Sequence, residues 1–300
     1  MSFIRRVAGI VALSLGLAAE APAAVTAVDD NGDRVSLDRP ATRIVALAPH
    51  AVEMLYKVGA GDALVGAIDG SDYPAAALRL PRVGNYRGIP LEAVLAREPD
   101  LVVAWASGTP GALIERLREL GIAVYASEPR ALSDVAENLR DLGRLAGRGQ
   151  RGQYQSAVYL ARLAALKQTF DEPPRVFYQL GASPLTTLAG GHVVSQVIRA
   201  CGGVPLFAEQ PVLVPQIGRE ALIAARPTVI LSAARDDDWQ AAWQRWSLVP
   251  AVANGQLYTL EPDWISRPGP RLLEAMAQVC AALRRSADEG QRPLNKSAAQ

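Results

Sequence analysis

Side chains that hold metals or act as nucleophiles are scarce in this 300-residue chain, which has two histidines, His50 and His192, and two cysteines, Cys201 and Cys280. A metal centre needs a cluster of imidazoles, thiolates or carboxylates. Two distant histidines and two cysteines supply no such cluster, which argues against a resident metal and against a carrier for bare zinc or manganese. No serine stands in a nucleophile-elbow pattern, and Gly190-Gly191 belongs to no phosphate-binding pattern. An exported α/β enzyme is therefore the weakest reading, because no acid–base or nucleophile constellation is present. An excess of one charge is missing too: 31 basic and 30 acidic side chains leave a net charge of +1. Nothing in that balance points to nucleic acid or an anionic bilayer. Arginine greatly outnumbers lysine, but arginines scattered along helices read as solvated faces.

Long apolar runs are absent except near the start. Residues 1–24 read as an export signal: Arg5 and Arg6 are its positive end, Val7 to Ala19 its apolar run, and Ala21-Pro22-Ala23 its small-residue cleavage site. The run falls short of the roughly 20 residues that span a bilayer. No cysteine lies near the cleavage point, which excludes lipid attachment there, so a soluble, exported protein is expected. An even pair of cysteines in such a chain favours a disulfide over two free thiols. If bonded, the long loop between Cys201 and Cys280 would stabilise the fold by roughly 2–4 kcal/mol in the chain-entropy model.

The stretch present in place of these features is Gly149 to Phe170, which has no proline and, after Gly152, no glycine. Tyr154, Ala157, Val158, Ala161, Ala164 and Ala165, with Leu163 more weakly, recur at helical spacing and are expected to form the buried face. On either side stand two matching segments, Leu91 to Ala104 and Arg219 to Ser232, which align without a gap at an offset of 128 residues. Each reads as a short helix with Glu in its first turn, a proline stop and a buried strand. The long helix therefore joins two similar α/β lobes. The expected divisions are a signal at 1–24, an N-terminal lobe at 25–148, a linking helix at 149–170, a C-terminal lobe at 171–286 and a polar tail at 287–300. A hairpin is expected over Val25 to Leu37, turning at Asn31-Gly32. Further helices are expected at Asp237–Trp246 and Pro270–Arg284, and strands alternating with helices imply largely parallel sheets.

In open α/β sheets ligands sit beyond the carboxyl ends of the strands. In the first lobe those positions hold Pro49-His50, the loop Asp69-Gly70-Ser71-Asp72-Tyr73-Pro74, Asn85-Tyr86, and Trp105. In the second they hold Leu180-Gly181-Ala182-Ser183-Pro184, Ala233 to Arg235, and Glu261-Pro262-Asp263-Trp264-Ile265-Ser266-Arg267-Pro268. Aromatic rings give wide, stiff contact area with a polar handle, which suits a large, flat, partly apolar ligand. Taken singly, each residue has a plainer reading: Trp105 as core, Tyr73 as a turn residue, Asp263 as a helix cap with Arg267 as its ion-pair partner. Glu92 and Glu220 each favour the positive end of their own helix, by about 0.3–1 kcal/mol. Their shared repeat position makes them a symmetric pair of docking points for a two-fold partner carrying arginines.

Together Pro49, Ser71-Asp72-Tyr73-Pro74, Val102-Val103-Ala104-Trp105, Cys201-Gly202-Gly203, Pro215-Gln216, and Asp263-Trp264 before Pro270-Arg271 resemble the periplasmic cobalamin-binding component of ABC importers. That family lies in the helical-backbone group of binding proteins, which also carries haem and ferric siderophores, and the resemblance spans about Arg43 to Leu283. It implies two Rossmann-like α/β lobes joined by one long α-helix, with cobalamin or a related corrinoid held in the cleft between them and no other cofactor. It implies a Cys201–Cys280 disulfide, a monomer in the periplasm, and Glu92 and Glu220 meeting the importer's permease dimer. Carried over by position, the ligand-lining residues are Tyr86, Trp105 and Asp263 through Arg267, with Gly70 to Tyr73 at the edge. Pro49, His50 and Gly181 complete the set. Tyr86 stands where tryptophan is usual, and Gly70, Leu180 and Val214 where aromatic residues are expected. His50 is an extra polar group at the pocket's edge. The alternatives are the same fold carrying haem or a ferric siderophore, for which Tyr73, Tyr86, Arg87, Arg235 and Arg267 are the candidate contacts.

Overall fold

Each half of the chain builds one parallel sheet from short strands with little polar character. The computed structural model describes residues 24–236 and 238–290. The expected signal, apart from its last residue, and the expected tail beyond 290 lie outside that range. The hairpin β1 (Val25–Val28) and β2 (Arg34–Leu37) comes first, its turn closed by Gly32 at φ +87°. There follow β3 (Ile44–Ala46), α1 (Pro49–Lys57), β4 (Leu64–Ala67), α2 (Leu91–Leu95), β5 (Leu101–Trp105), α3 (Gly111–Glu119), β6 (Ala123–Ser127) and α4 (Asp134–Leu145). The first sheet has the order β4-β3-β5-β6, all parallel. Its strands are buried on both faces, as a parallel sheet covered by helices must be.

After the linking helix α5 (Gly149–Leu166) the second lobe runs β7 (Arg175–Gln179), β8 (Gly181–Ala182), β9 (Leu185–Thr186), α6 (Val193–Ala200) and β10 (Val204–Pro205). It continues with α7 (Arg219–Ala225), β11 (Val229–Ser232), α8 (Pro250–Ala253), β12 (Leu257–Thr259), α9 (Pro262–Ile265) and α10 (Leu272–Gly290). Its sheet has the order β10-β7-β11-β12, again parallel. The architecture is the expected one: two separate α/β lobes and a helix between them.

The internal repeat is visible in the backbone. Glu98 and Arg226, one repeat apart, both lie in the left-handed region, at φ +47° and +46°. Pro99 and Pro227 stop α2 and α7 there, and the helix-end carbonyls need new donors. Arg43 supplies them in the first lobe, bonding the carbonyls of Glu98 (2.9 Å) and Arg97 (2.5 Å). Arg175 does the same in the second, bonding the carbonyl of Ala225 through two nitrogens (3.0 and 2.8 Å).

The linking helix buries a different face from the expected one. Gly152, Ser156, Tyr159 and Leu163 are buried, whereas Tyr154 (64 % exposed), Val158 and the four expected alanines face outward. Close backbone approach to α4 decides this. A Cβ added at Gly143 would lie 2.6 Å from the Gly152 Cα, and one added at Gly152 would lie 2.8 Å from the Leu139 carbonyl oxygen. Only the glycine face lets the two helices meet at this distance, so it turns inward although it is the less apolar side. Arg162 ties α5 to α10 through both oxygens of Glu274. One apolar cluster runs from the first sheet through α4, α5 and α10 to the second sheet, and each lobe has a further cluster of its own.

Cys201 and Cys280 are bonded and fully buried, linking the end of α6 to α10. The Gln168 amide donates to both cysteine carbonyls, at 3.0 and 2.9 Å. The expected helix at Asp237–Trp246 is instead a single 3-10 turn, Ala241–Trp243. The Trp243 indole N–H bonds Gln179 and that of Trp239 bonds Thr259, so strand-end partners take the place of helical order. The last helix runs beyond Arg284, to Gly290. Among the described residues no helix is long and apolar enough to cross a membrane.

Candidate ligand cleft

The loops that follow β3 and β4 in the first lobe meet the loop that follows β12 in the second. Pro49 begins α1, where its missing N–H costs nothing. His50, next to it, is 3 % exposed. A Cβ added at Gly269 of the opposite lobe would lie 3.3 Å from the His50 Cβ, so the two backbones abut. Asp72 reaches across to Arg267 at 2.7 Å, and the ring of Tyr73 lies under the Arg271 guanidinium, 4.0 Å from its centroid. The hydrogen bond from Arg267 holds the Asp72 carboxyl below the usual carboxylate range.

Trp105 is the last residue of β5 and 39 % exposed, its indole lying over Gly108, where a Cβ would come within 2.1 Å of the ring. The His50 and Trp105 rings meet edge-to-face at 6.2 Å. Behind His50 runs a buried polar chain. Ser127 Oγ donates to Asn138 Oδ1 at 2.6 Å, and Asn138 Nδ2 donates to both oxygens of Asp30 at 2.8 and 2.9 Å. The hydroxyl proton is thereby committed, and the His50 Nε2–H donates to Ser127 Oγ at 3.0 Å. Burial pushes the imidazole down to about 4, so it is neutral at pH 7.

The other predicted residues divide into four groups. Asp263 sits in α9 and binds Arg235 (2.7 Å) and Arg267 (3.3 Å). Trp264 is half-buried against the shared core and Ile265 fully buried, while Ser266 is exposed and donates to the Pro262 carbonyl at 2.6 Å. Gly70, at φ +81°, faces Pro49, whose Cγ would lie 3.9 Å from an added Cβ, and the Ser71 hydroxyl is buried without a partner among the described residues. Tyr86 is 87 % exposed and accepts a hydrogen bond from Arg87. Gly181 starts the β8–β9 hairpin, where a side chain would meet Thr186 Oγ1 at 2.6 Å. Among the described residues, no hydrogen bond or ion pair joins Tyr86 or Gly181 to the Asp72–Arg267 group. Glu92 and Glu220 are exposed in the first turns of α2 and α7.

Two features were not foreseen. One is Glu53 with Arg271: the carboxylate lies on α1 with its side chain 1 % exposed, and Arg271 binds it through two nitrogens at 2.9 and 2.6 Å. A lone acid amid Ala51, Val52, Met54 and Leu55 was the available signal. The other is a cavity of about 400 Å³ at the carboxyl ends of β7 and β11, where Leu180 and Trp246 stand with Arg219 and Arg245. A second cavity, of about 540 Å³, lies under the β1–β2 hairpin against α4. Its walls are mostly Asp, Glu and Arg, which suit a large apolar ligand poorly.

The family model described as "Periplasmic binding protein" matches residues 44–264. The vitamin B12-binding protein of Vibrio cholerae serotype O1 is 39% identical over 248 residues, 82% of this chain and 90% of that one. The crystal structure of the periplasmic vitamin B12 binding protein BtuF of Vibrio cholerae superposes with a TM-score of 0.76, covering 82% of this chain and 98% of that one. A periplasmic heme binding protein from Pseudomonas aeruginosa superposes at 0.69, with 28% identity, 82% of this chain and 94% of that one.

Proposed function

Because the chain belongs to the periplasmic binding protein family, we propose that it captures cobalamin or a related corrinoid in the cleft between its lobes and delivers it to an ABC importer. The observation that carries this reading is the 39% identity to a vitamin B12-binding protein across most of both chains. The cleft supports it chemically. Tyr73 and Trp105 offer half-exposed rings to a flat macrocycle, and Asp72, Asp263 and Arg267 offer polar groups to its peripheral amides. The protein works by binding and release, not by bond chemistry, as a monomer in the periplasm. Glu92 and Glu220 stand at equivalent repeat positions and present one acid per lobe to arginines of a two-fold permease. The shared core through α5 limits how far the lobes swing.

A second reading, haem as the ligand, is favoured by the 28% identity to a heme binding protein in the same fold. Calorimetric titration of the protein with cobalamin, cobinamide and haem separates the two. Tight binding of the corrinoids and none of haem is expected. Binding of haem alone establishes the second reading, and binding of none of the three overturns the carrier assignment.

A further inference from the structure

Glu53 is enclosed in the first lobe, yet among the described residues every cation that touches it comes from the second. Arg271 binds it through two nitrogens at 2.9 and 2.6 Å, and Arg267 Nη1 approaches the same carboxylate at 3.3 Å. A carboxylate removed from water needs close counter-charges, and its burial without them is strongly unfavourable. The charge on α1 is therefore compensated only while the lobes hold their present separation. The same two arginines then act outward. Arg267 Nη1 also binds Asp72 at 2.7 Å and its Nη2 binds Asp263 at 3.3 Å, while the Arg271 guanidinium covers the Tyr73 ring. One buried oxygen pair thus orders both side chains of the Asp72-Tyr73 loop that face the opposite lobe.

We infer that Glu53 and Arg271 are positioning residues of the cleft: they set the distance between the lobes and aim Asp72, Tyr73 and Arg267 at the bound molecule without contacting it. At 1 % exposure the Glu53 side chain is too enclosed to reach a ligand itself. The inference on ligand affinity rests on the corrinoid reading; the inference on lobe spacing does not.

The test uses the full chain with Glu92→Cys and Glu220→Cys carrying nitroxide labels. The native cysteines are bonded and take none. Pulsed electron paramagnetic resonance then reports the distance between the two labelled helices, one in each lobe. Glu53→Gln should broaden and lengthen that distance at neutral pH and raise the dissociation constant for cyanocobalamin about tenfold or more. Arg271→Lys, which keeps the charge but loses the two-nitrogen geometry, should fall between. A merely stabilising role would lower the unfolding midpoint and leave the distance distribution of the folded protein unchanged, and that result overturns the inference. Should Glu53→Gln not fold, Arg271→Lys is judged by the same two readouts. If the unsubstituted protein binds no cobalamin, the corrinoid reading fails and the distance measurement alone decides this one.

Discussion

Replacing His50 should remove a specific part of the protein's acid sensitivity. The imidazole is 3 % exposed, donates to Ser127, and is held at a pKa of about 4 by burial. In an unfolded chain the same group titrates near 6.5. Between those values the unfolded state binds the additional proton, so stability rises with pH. The contribution is intact above about pH 6.5, drains as the pH falls, and is gone near pH 4. For one site with these two constants, the loss between pH 7 and pH 5 is about 2 kcal/mol, approaching 3 near pH 4. Glu53 lies one turn along α1, but Arg267 and Arg271 neutralise it. Urea unfolding of the parent and of His50→Gln at pH 7 and pH 5 measures the difference, and the offset between the proteins at pH 7 does not enter. The parent should lose about 2 kcal/mol more than the variant over that interval. Parallel pH profiles would refute the account, because they would mean that His50 titrates alike in both states.

Trp105→Ala should weaken corrinoid binding by about 1–3 kcal/mol through lost contact area, measured by calorimetry. An unchanged dissociation constant would place the ring outside ligand contact. Joint substitution of Cys201 and Cys280 by Ser should lower stability by about 4.5 kcal/mol, the chain-entropy value for a loop of 79 residues, read from denaturant unfolding. The double variant Glu92→Ala, Glu220→Ala should impair uptake in reconstituted importer vesicles while leaving ligand affinity intact. Equal loss of both would assign these acids to the cleft.

Much of the fold was legible because its signals are local. The alternation of apolar strands with short helices, the proline stops at Pro99 and Pro227 and the turn at Asn31-Gly32 each act within a few residues. The same holds for the candidate residues placed after strand ends, since chain order in a parallel sheet already puts those loops at one edge. Asp72 and Arg267, 195 residues apart, could both be named in this way, although their 2.7 Å contact could not.

The rest depended on partners distant in the chain. Counting apolar residues on α5 points to Tyr154, Val158 and the alanines, but the helix turned its glycine side toward α4 because only there can two backbones approach so closely. The segment after Asp236 has helical spacing, yet its tryptophan indoles donate hydrogen bonds to Thr259 and Gln179 at strand ends. Glu53 stands in an apolar helix as an apparent misfit until the second lobe brings Arg271 to it. Periodicity and turn chemistry were enough to specify two lobes, a connector and the strand edges that carry the candidate residues. The buried faces, the charge pairing and the protonation state of His50 were decided by tertiary structure, because packing distance and desolvation exist only once remote segments meet.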